Sequence, residues 1–499
     1  MTNGQQSTNR SVLYISAAIV LLFVAFGMFL PDSMSTVVNA VFAFLTTDFG
    51  WLYLLAVFIF MVFAFGIALS PYGKIKLGKD DDKPEFSNFQ WFAMLFGGGM
   101  GIGLVFWSVA EPMMHYLTPP VGKGGTVEAM ENAMRIVFFH WGIHAWVIFA
   151  IGGLALAYFQ FRKGLPFLVS SAFYPLIGDR IYGPIGKAID ILSVFATVFG
   201  VATSLGLGSS QIATGLQYIW GIKSSPLTIS IIIAIMTVMF TMATVSGLHK
   251  AMQMVANLKV WLSIAFMVFI FLFGGMVFIL NNFTQAVGAY FQTIIGQSLW
   301  MGNLGWVSGW TVFYWAWWIA WAPFVGQFVA RVSKGRTIRE FILAVSLLPS
   351  GFSLIWLGIY GGAAFNLDKI SKGAIQAAVN ADYTTALFVT LKQLPLYSLT
   401  APLAIILIVA CFIGAANSAT FVLAMLTSGG DMNPSEKLRG FWGIAQGALT
   451  IILILVGGTA ALKVLQTASI ASAFPFMLIM LVMCYSLLKA LREDAKELQ

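Results

Sequence analysis

Charge is scarce in this sequence. Asp, Glu, Lys and Arg make up 9% of the 499 residues, whereas 59% are hydrophobic and the mean hydropathy is +0.88. A soluble domain carries about 25% charged residues, so the soluble globular class is excluded. Apolar stretches of about 20 residues are long enough to cross the hydrocarbon core of a bilayer. We therefore interpret the chain as an all-α, polytopic membrane protein.

Cysteine, histidine and enzyme motifs are also scarce. Cys411 and Cys484 both fall in predicted helices, so they imply no disulfide framework. His140 and His144 have the spacing of paired metal ligands, but no acidic cluster accompanies them, and we expect structural or substrate-site support instead. Nucleotide-binding loops, nucleophile elbows and haem motifs are absent. We expect no metal and no cofactor, and an intramembrane enzyme or a channel is a distant alternative.

Twelve apolar segments are predicted to span the membrane. They are centred near residues 21, 60, 103, 149, 202, 237, 267, 318, 352, 414, 450 and 478. Short cytoplasmic loops are enriched in Lys and Arg. An intracellular N-terminus places nineteen basic residues in cytoplasmic segments and seven outside, with Lys259 inside a span. Both termini are therefore predicted to be cytoplasmic in the cell membrane. The net charge of +8 then indicates contact with anionic lipid, not nucleic acid.

Tryptophan is concentrated in the middle of one predicted span. Membrane tryptophans usually lie at the two water interfaces, but Trp317, Trp318 and Trp321 lie at mid-depth. One helical face would carry Trp310, Tyr314, Trp317, Trp321 and Phe324. Aromatic faces attract quaternary ammonium groups, so this face suits such a cation. Ordinary helix packing is the open alternative.

Two spans have the composition of interrupted helices. The segment 97–103 contains five glycines, each costing about 1 kcal/mol of helix propensity relative to Ala. Unwound backbone at this depth often binds substrate in transporters, although small residues also permit close helix packing. The aromatic span contains Pro323 and Gly326, and we expect an interruption there too. The two segments lie five predicted helices apart, which is typical of two five-helix halves with opposite topology.

Several motifs resemble the betaine/carnitine/choline transporter (BCCT) family over nearly the whole chain. They are 97–103 continuing to Phe106-Trp107 and Glu111-Pro112, His140-Trp141 with His144 and Trp146, 202–208, Phe313–Trp318, and Arg331–Arg339. The resemblance implies a LeuT-type inverted repeat preceded by two extra helices, a homotrimer, and transport of trimethylammonium or related onium compounds. The corresponding division is 1–89 for the extension and linker, 90–280 and 281–490 for the repeats, and 491–499 for the tail.

The same resemblance implies roles for individual residues. It places the onium group among Trp141, Trp146, Trp317, Trp318 and Trp321, and the other end of the substrate beside Gly99, Met100 and Gly101. Phe149 occupies a position where some relatives have Tyr. Choline-selective relatives carry an acidic residue in the glycine run, whereas this chain has Gly103, so a zwitterion of the glycine betaine or carnitine type is favoured over choline. Glu111 is expected either to support the site or to serve helix structure.

Ion coupling is predicted to differ from that of the sodium-driven relatives. Those relatives have hydroxyl residues where this chain reads Gly414-Ala415-Ala416, and a second expected hydroxyl is replaced by Val201, although Thr197 remains. Hard cations need several oxygen ligands, so both sodium sites look incomplete. Lys259 either replaces the ion or extends to the cytoplasmic interface. We expect sodium-independent exchange, uniport or proton coupling; the alternative is a sodium-coupled or proton-coupled choline/betaine symporter.

Overall fold

The computed structural model describes residues 10–99, 101–246, 249–458 and 461–497. In these ranges the chain is helical without β-strands, apart from an isolated bridge between Lys76 and Thr337. Ten helices within the described ranges are long and apolar enough to cross a bilayer. These observations confirm the prediction of an all-α, multi-pass membrane protein.

Ten of the twenty α-helices found in the described residues lie in the first half of the chain. They are α1 (Arg10–Phe29), α2 (Pro31–Asp48), α3 (Gly50–Leu69), α4 (Asn88–Gly99), α5 (Ile102–Leu117), α6 (Val127–Trp141), α7 (Ile143–Ala157), α8 (Tyr174–Ile177), α9 (Pro184–Trp220) and α10 (Pro226–Val245). A π-helical turn, Tyr158–Arg162, continues α7, and 3-10 turns occupy Pro71–Lys74, Val169–Phe173 and Gly178–Tyr182.

The second half of the chain forms the remaining ten helices. They are α11 (His249–Phe273), α12 (Met276–Ser298), α13 (Leu304–Val307), α14 (Phe313–Arg331), α15 (Ile338–Ile370), α16 (Ala374–Ala381), α17 (Ala386–Lys392), α18 (Tyr397–Thr427), α19 (Glu436–Gly457) and α20 (Ala461–Glu497). A π-helical turn, Ser308–Val312, precedes α14, and a 3-10 turn, Tyr383–Thr385, precedes α17.

The predicted break in the glycine run is confirmed. Helix α4 ends at Gly99 and α5 begins at Ile102, and Gly101 has an extended backbone with φ −114° and ψ 170°. Met100 lies outside the described residues. Gly97, Gly98 and Gly99 form the end of α4. Because glycine loses more backbone entropy than other residues on forming a helix, this composition favours a helix end here.

The predicted interruption of the aromatic span is wrong. Helix α14 continues through Pro323 and Gly326 to Arg331. Gly326 instead permits close packing, since a Cβ there would lie 3.0 Å from the backbone of Gly152 and of Gly153 on α7. The irregular backbone lies earlier, in the π-helical turn Ser308–Val312.

Helix α14 occupies the centre of the protein. It packs against α7, α9 and α20, and every residue from 313 to 327 is buried. The mid-span tryptophans therefore face protein and not lipid. A helix that is apolar and buried on all sides needs partners for its indole N–H groups within the bundle.

An ionic cluster joins the end of α20 to the turn after α7. Asp494 is 3% exposed and accepts hydrogen bonds from the Tyr158 hydroxyl (2.8 Å) and from Arg162 Nε (2.6 Å), and it also contacts the Lys163 ammonium. Arg162 in turn bonds to Asp80 at 2.8 Å. The cluster therefore connects α7, α20 and the loop that precedes α4.

The variant Asp494→Ala is expected to lower the stability of the fold. Removing one partner of a buried ion pair costs about 3–5 kcal/mol, and the partial exposure of Lys163 favours the lower end of this range. Thermal unfolding of the detergent-solubilised protein measures the effect. The exposed Asp81 provides the control Asp81→Ala, and equal unfolding midpoints for the two variants would contradict the proposed contribution of the cluster.

Candidate functional site

Five helices enclose a small aromatic pocket. The free space measures about 40 Å³. Its walls are Gly101 in the break before α5, Gly103 and Leu104 of α5, Trp141 of α6, Ala145, Trp146 and Phe149 of α7, Trp317, Trp318, Trp321 and Val325 of α14, and Ser353 of α15. The structure thus brings together all five tryptophans that the sequence singled out, with Phe149 and Gly101. Gly99 ends α4 nearby in the chain.

The aromatic rings form walls at right angles. Trp317 and Trp318 are stacked with their centroids 4.9 Å apart, and Trp141 meets Trp318 edge to face at the same separation. On the α7 side Trp146 packs edge to face against Phe149 at 5.4 Å. Each tryptophan of the pocket is at most 9% exposed. The pocket therefore presents several desolvated ring faces to one small volume.

Four of the five pocket tryptophans donate their indole N–H groups to protein atoms. The pairs are Trp141 with Glu111 Oε2 (2.6 Å), Trp317 with Ser204 Oγ (3.2 Å), Trp318 with the His140 carbonyl (3.0 Å) and Trp321 with the Gly200 carbonyl (3.0 Å). These bonds satisfy the polar edges of the rings and fix their orientation. The negative ring faces are then left to attract a cation.

Gly103 allows the rings of two helices to meet. A Cβ on Gly103 would lie 2.5 Å from Trp317 Cη2 and 3.1 Å from Trp141 Cη2, distances that would force the rings to move. Gly101 also lies against Trp321, at 4.0 Å from Cη2. The glycine run therefore has a packing role at Gly103, and its backbone is extended at Gly101.

Glu111 lies at the centre of a buried hydrogen-bond network. Its Oε2 accepts from Trp141 Nε1 at 2.6 Å and from the Tyr314 hydroxyl at 2.5 Å. Its Oε1 lies 2.7 Å from His140 Nδ1 and 3.2 Å from His115 Nε2. All these partners are buried, and the carboxylate orients Trp141 directly. Of the two roles left open for Glu111, the geometry favours support of the aromatic pocket.

The two histidines of the i, i+4 pair do not act together. His144 Nε2 lies 2.7 Å from Ser298 Oγ, away from Glu111, whereas His140 joins Glu111 and His115. The fold thus brings a single carboxylate, Glu111, to His140, which the sequence spacing did not reveal. The donor atoms of Glu111, His115 and His140 lie within 4.8 Å of one another, but their direct contacts have hydrogen-bond lengths, and we interpret them as a hydrogen-bond network.

A second, larger cavity adjoins the aromatic pocket. It measures about 320 Å³ and shares Gly101, Trp321 and Val325 with the pocket. Lys259 of α11 lines it, and its Nζ donates a hydrogen bond to the Gly97 carbonyl at 3.1 Å. Lys259 is therefore placed at the glycine run, so it does not simply extend to the membrane interface.

Helix α18 contributes one hydroxyl to this cavity that sequence reasoning missed. Gly414 and Ala415 line it as expected, and Ser418 lines it as well. Ser418 follows Gly414 by four residues and so lies on the same helical face, which was the available signal. Thr197 is buried on α9, where its hydroxyl donates to the Ser193 carbonyl at 2.8 Å.

A model of the BCCT, or betaine/carnitine/choline family transporter, matches residues 11–496 of the chain. The protein belongs to the BCCT family. Membership confirms the resemblance seen in the sequence motifs, and it identifies the protein as a transporter and not an enzyme.

Curated relatives within the BCCT family match over almost their whole length. A probable glycine betaine transporter of Desulfitobacterium hafniense is 78% identical over 99% of this chain and 100% of that protein. The glycine betaine transporter OpuD of Bacillus subtilis is 46% identical, covering 98% and 96%. An ectoine/hydroxyectoine transporter of Virgibacillus pantothenticus is 42% identical, covering 99% of both chains.

The variant Gly103→Ala is expected to weaken onium binding by this BCCT protein. The added methyl group would displace Trp317 or Trp141, and overpacking of this kind costs about 1–3 kcal/mol, so we expect roughly tenfold weaker binding. Ligand-induced change in tryptophan fluorescence measures the affinity. Gly351→Ala is the matched control, because a Cβ there meets nothing within 4 Å. Unchanged affinity in Gly103→Ala would refute the close approach.

The variant Glu111→Gln is expected to weaken onium binding without unfolding the protein. The amide preserves side-chain shape, but hydrogen bonds to a charged acceptor are worth about 1–2 kcal/mol more than neutral ones, so the affinity should fall about five- to thirtyfold. Glu128→Gln, at an exposed position of α6, is the control. If Glu111→Gln binds ligand as tightly as this control, the carboxylate does not support the pocket.

Proposed function

We propose that this protein is a secondary transporter that carries a trimethylammonium or related onium zwitterion by alternating access, with glycine betaine as the favoured substrate. The observation that carries the proposal is the pocket of five buried tryptophans, four of which have their indole N–H groups bonded to protein atoms. The names of two close relatives support glycine betaine. The name of a third relative makes ectoine a second substrate to test.

The aromatic pocket supports binding of moderate strength. Each cation–π contact contributes about 0.5–2 kcal/mol when the cation is desolvated. Three or four such contacts give dissociation constants in roughly the micromolar to millimolar range. A carrier that must release its cargo on each cycle requires binding of this order. We assign the onium group to Trp141, Trp146, Trp317, Trp318 and Trp321, with Phe149 beside Trp146 in the pocket wall and Glu111 as support for Trp141.

The backbone of the glycine run is the proposed site for the other end of the substrate. Gly99, Met100 and Gly101 supply backbone groups in this assignment. The extended conformation at Gly101 supports it, because non-helical backbone leaves amide groups outside the helical hydrogen-bond pattern.

We also propose the twelve-helix, LeuT-type architecture. The ten apolar spans, together with the interrupted pair α4–α5 and the tryptophan-rich α14, account for twelve crossings. In this assignment residues 1–89 form the two-helix extension and linker, 90–280 and 281–490 form the inverted repeats, and 491–499 form the tail. Both termini are proposed to be cytoplasmic, and the protein to be a homotrimer in anionic lipid, as the charge distribution and the family resemblance suggest.

Sodium-independent transport is the proposed coupling mode, by exchange, uniport or proton coupling. The Lys259 ammonium at the Gly97 carbonyl supports it, since a cationic group already lies at the backbone oxygen that would otherwise attract a metal cation. The Ser418 hydroxyl in the same cavity supports the second candidate, a sodium-coupled symporter.

Uptake into proteoliposomes tests the substrate. Labelled glycine betaine is expected to enter in a saturable way and to show counterflow, with ectoine, carnitine and choline compared as competitors. Trp318→Leu removes one aromatic face and should raise the KM about tenfold or more. Trp261→Leu, which changes an exposed indole of α11, is the control. Linear, non-saturable entry, or a Trp318→Leu variant with wild-type KM, would refute the carrier with an aromatic site.

Replacement of external Na⁺ by K⁺ tests the coupling. Uptake by the wild-type protein is expected to persist in K⁺. The Lys259 ammonium would take the place of the sodium ion, so a sodium site with several oxygen ligands is not required there. The variant Lys259→Ala should transport more slowly or acquire a different ion dependence. Loss of wild-type uptake in K⁺ would overturn sodium independence and favour the symporter.

A further inference from the structure

The two cavities differ in the charge of their walls. The described residues that line the aromatic pocket include no Lys, Arg or His, so this pocket suits an onium group but offers a carboxylate no cationic partner. A carboxylate moved into apolar surroundings without a counter-charge pays a large desolvation cost. A zwitterion that leaves the aromatic pocket therefore needs a positive group on its path.

The larger cavity combines aromatic rings with an ammonium group. Trp321, Phe324 and Phe328 of α14 line one side, and Lys259 of α11 lines the other. The bond from Lys259 Nζ to the Gly97 carbonyl holds the ammonium at the cavity wall, next to the glycine run. The cavity and the pocket are adjacent, because Gly101, Trp321 and Val325 line both of them.

We propose that this cavity is a second substrate subsite, in which Lys259 pairs with the carboxylate of the zwitterion while Trp321 and Phe324 contact its onium group. The inference rests on the proposed function and adds a specificity role for Lys259. The ammonium attracts onium compounds that carry a carboxylate and repels cations that lack one. The selectivity of the carrier for zwitterions then depends on this lysine as well as on the aromatic pocket.

This role differs from ion replacement in what it discriminates. An ammonium that only fills the position of a coupling ion affects every onium substrate to the same extent. An ammonium that pairs with the carboxylate strengthens binding of a zwitterion, but it does not strengthen binding of an onium analogue whose carboxylate is replaced by a neutral group. A cycle that removes the charge on the protein, on the ligand, and on both separates the two roles.

The experiment measures inhibition of labelled glycine betaine counterflow by unlabelled glycine betaine and by its neutral amide, which keeps the trimethylammonium group. In the wild-type protein the amide should inhibit about 30-fold less well than glycine betaine, because the pair between carboxylate and ammonium is lost. In Lys259→Met the two compounds should inhibit within about threefold of one another. Lys259→Arg should retain the wild-type preference, since the charge remains.

Controls address folding and surface charge. Lys223→Met removes an exposed positive charge and should behave as wild type. Size-exclusion chromatography checks that each variant is folded, and Lys259→Gln replaces Lys259→Met in the cycle if the latter is not. Tryptophan fluorescence provides the same affinities if counterflow in a variant is too slow.

Several outcomes would overturn the inference. One is that Lys259→Met weakens inhibition by glycine betaine and by its amide to the same extent, so that the ratio of the two affinities stays at the wild-type value. Another is that the amide fails to compete in Lys259→Met although glycine betaine still competes. Failure of the wild-type protein to exchange glycine betaine at all would instead refute the proposed function. If the wild-type protein exchanges glycine betaine but the variants keep its preference for glycine betaine over the amide, only the proposed pairing of Lys259 with the carboxylate is refuted.

Discussion

The aromatic pocket depends on the hydrogen bonds that hold four of its indole N–H groups inside the bundle. At membrane depth no bulk water is available, so a protein acceptor stabilises such a buried donor. Two backbone carbonyls, the Ser204 hydroxyl and the Glu111 carboxylate meet this need. The same bonds turn the ring faces toward one small volume. One set of hydrogen bonds thus both satisfies the buried N–H groups and orients the rings into a pocket that attracts a cation.

Close approach of the helices is the second condition. Gly103 lets Trp141 and Trp317 meet, and Gly326 lets α14 press against the backbone of α7. Both glycines therefore make room for neighbouring helices inside regular helices. The small free volume of the aromatic pocket, beside the larger cavity at Lys259, agrees with a carrier whose site opens from one side at a time.

Local sequence patterns predicted much of this arrangement correctly. The membrane class followed from composition, the helix break followed from glycine propensity at 97–103, and the tryptophans of the pocket followed from helical spacing and family motifs. Pro323 was misleading, since it lies inside a continuous α14. Proline removes one backbone donor and commonly bends a helix, but packing on all sides of α14 outweighs that cost.

The contacts between distant segments required the folded chain. Glu111, His140 and Tyr314 lie far apart in the sequence, and spacing alone paired His140 with His144 when its partner is Glu111. Ser418 and the bond from Lys259 to Gly97 were likewise hidden, because they arise between α4, α11 and α18. Hydropathy and periodicity report on a single helix and its environment, so they establish membrane crossing and buried faces. Which side chains meet across helices depends on packing angles and close approaches that are set by the whole bundle.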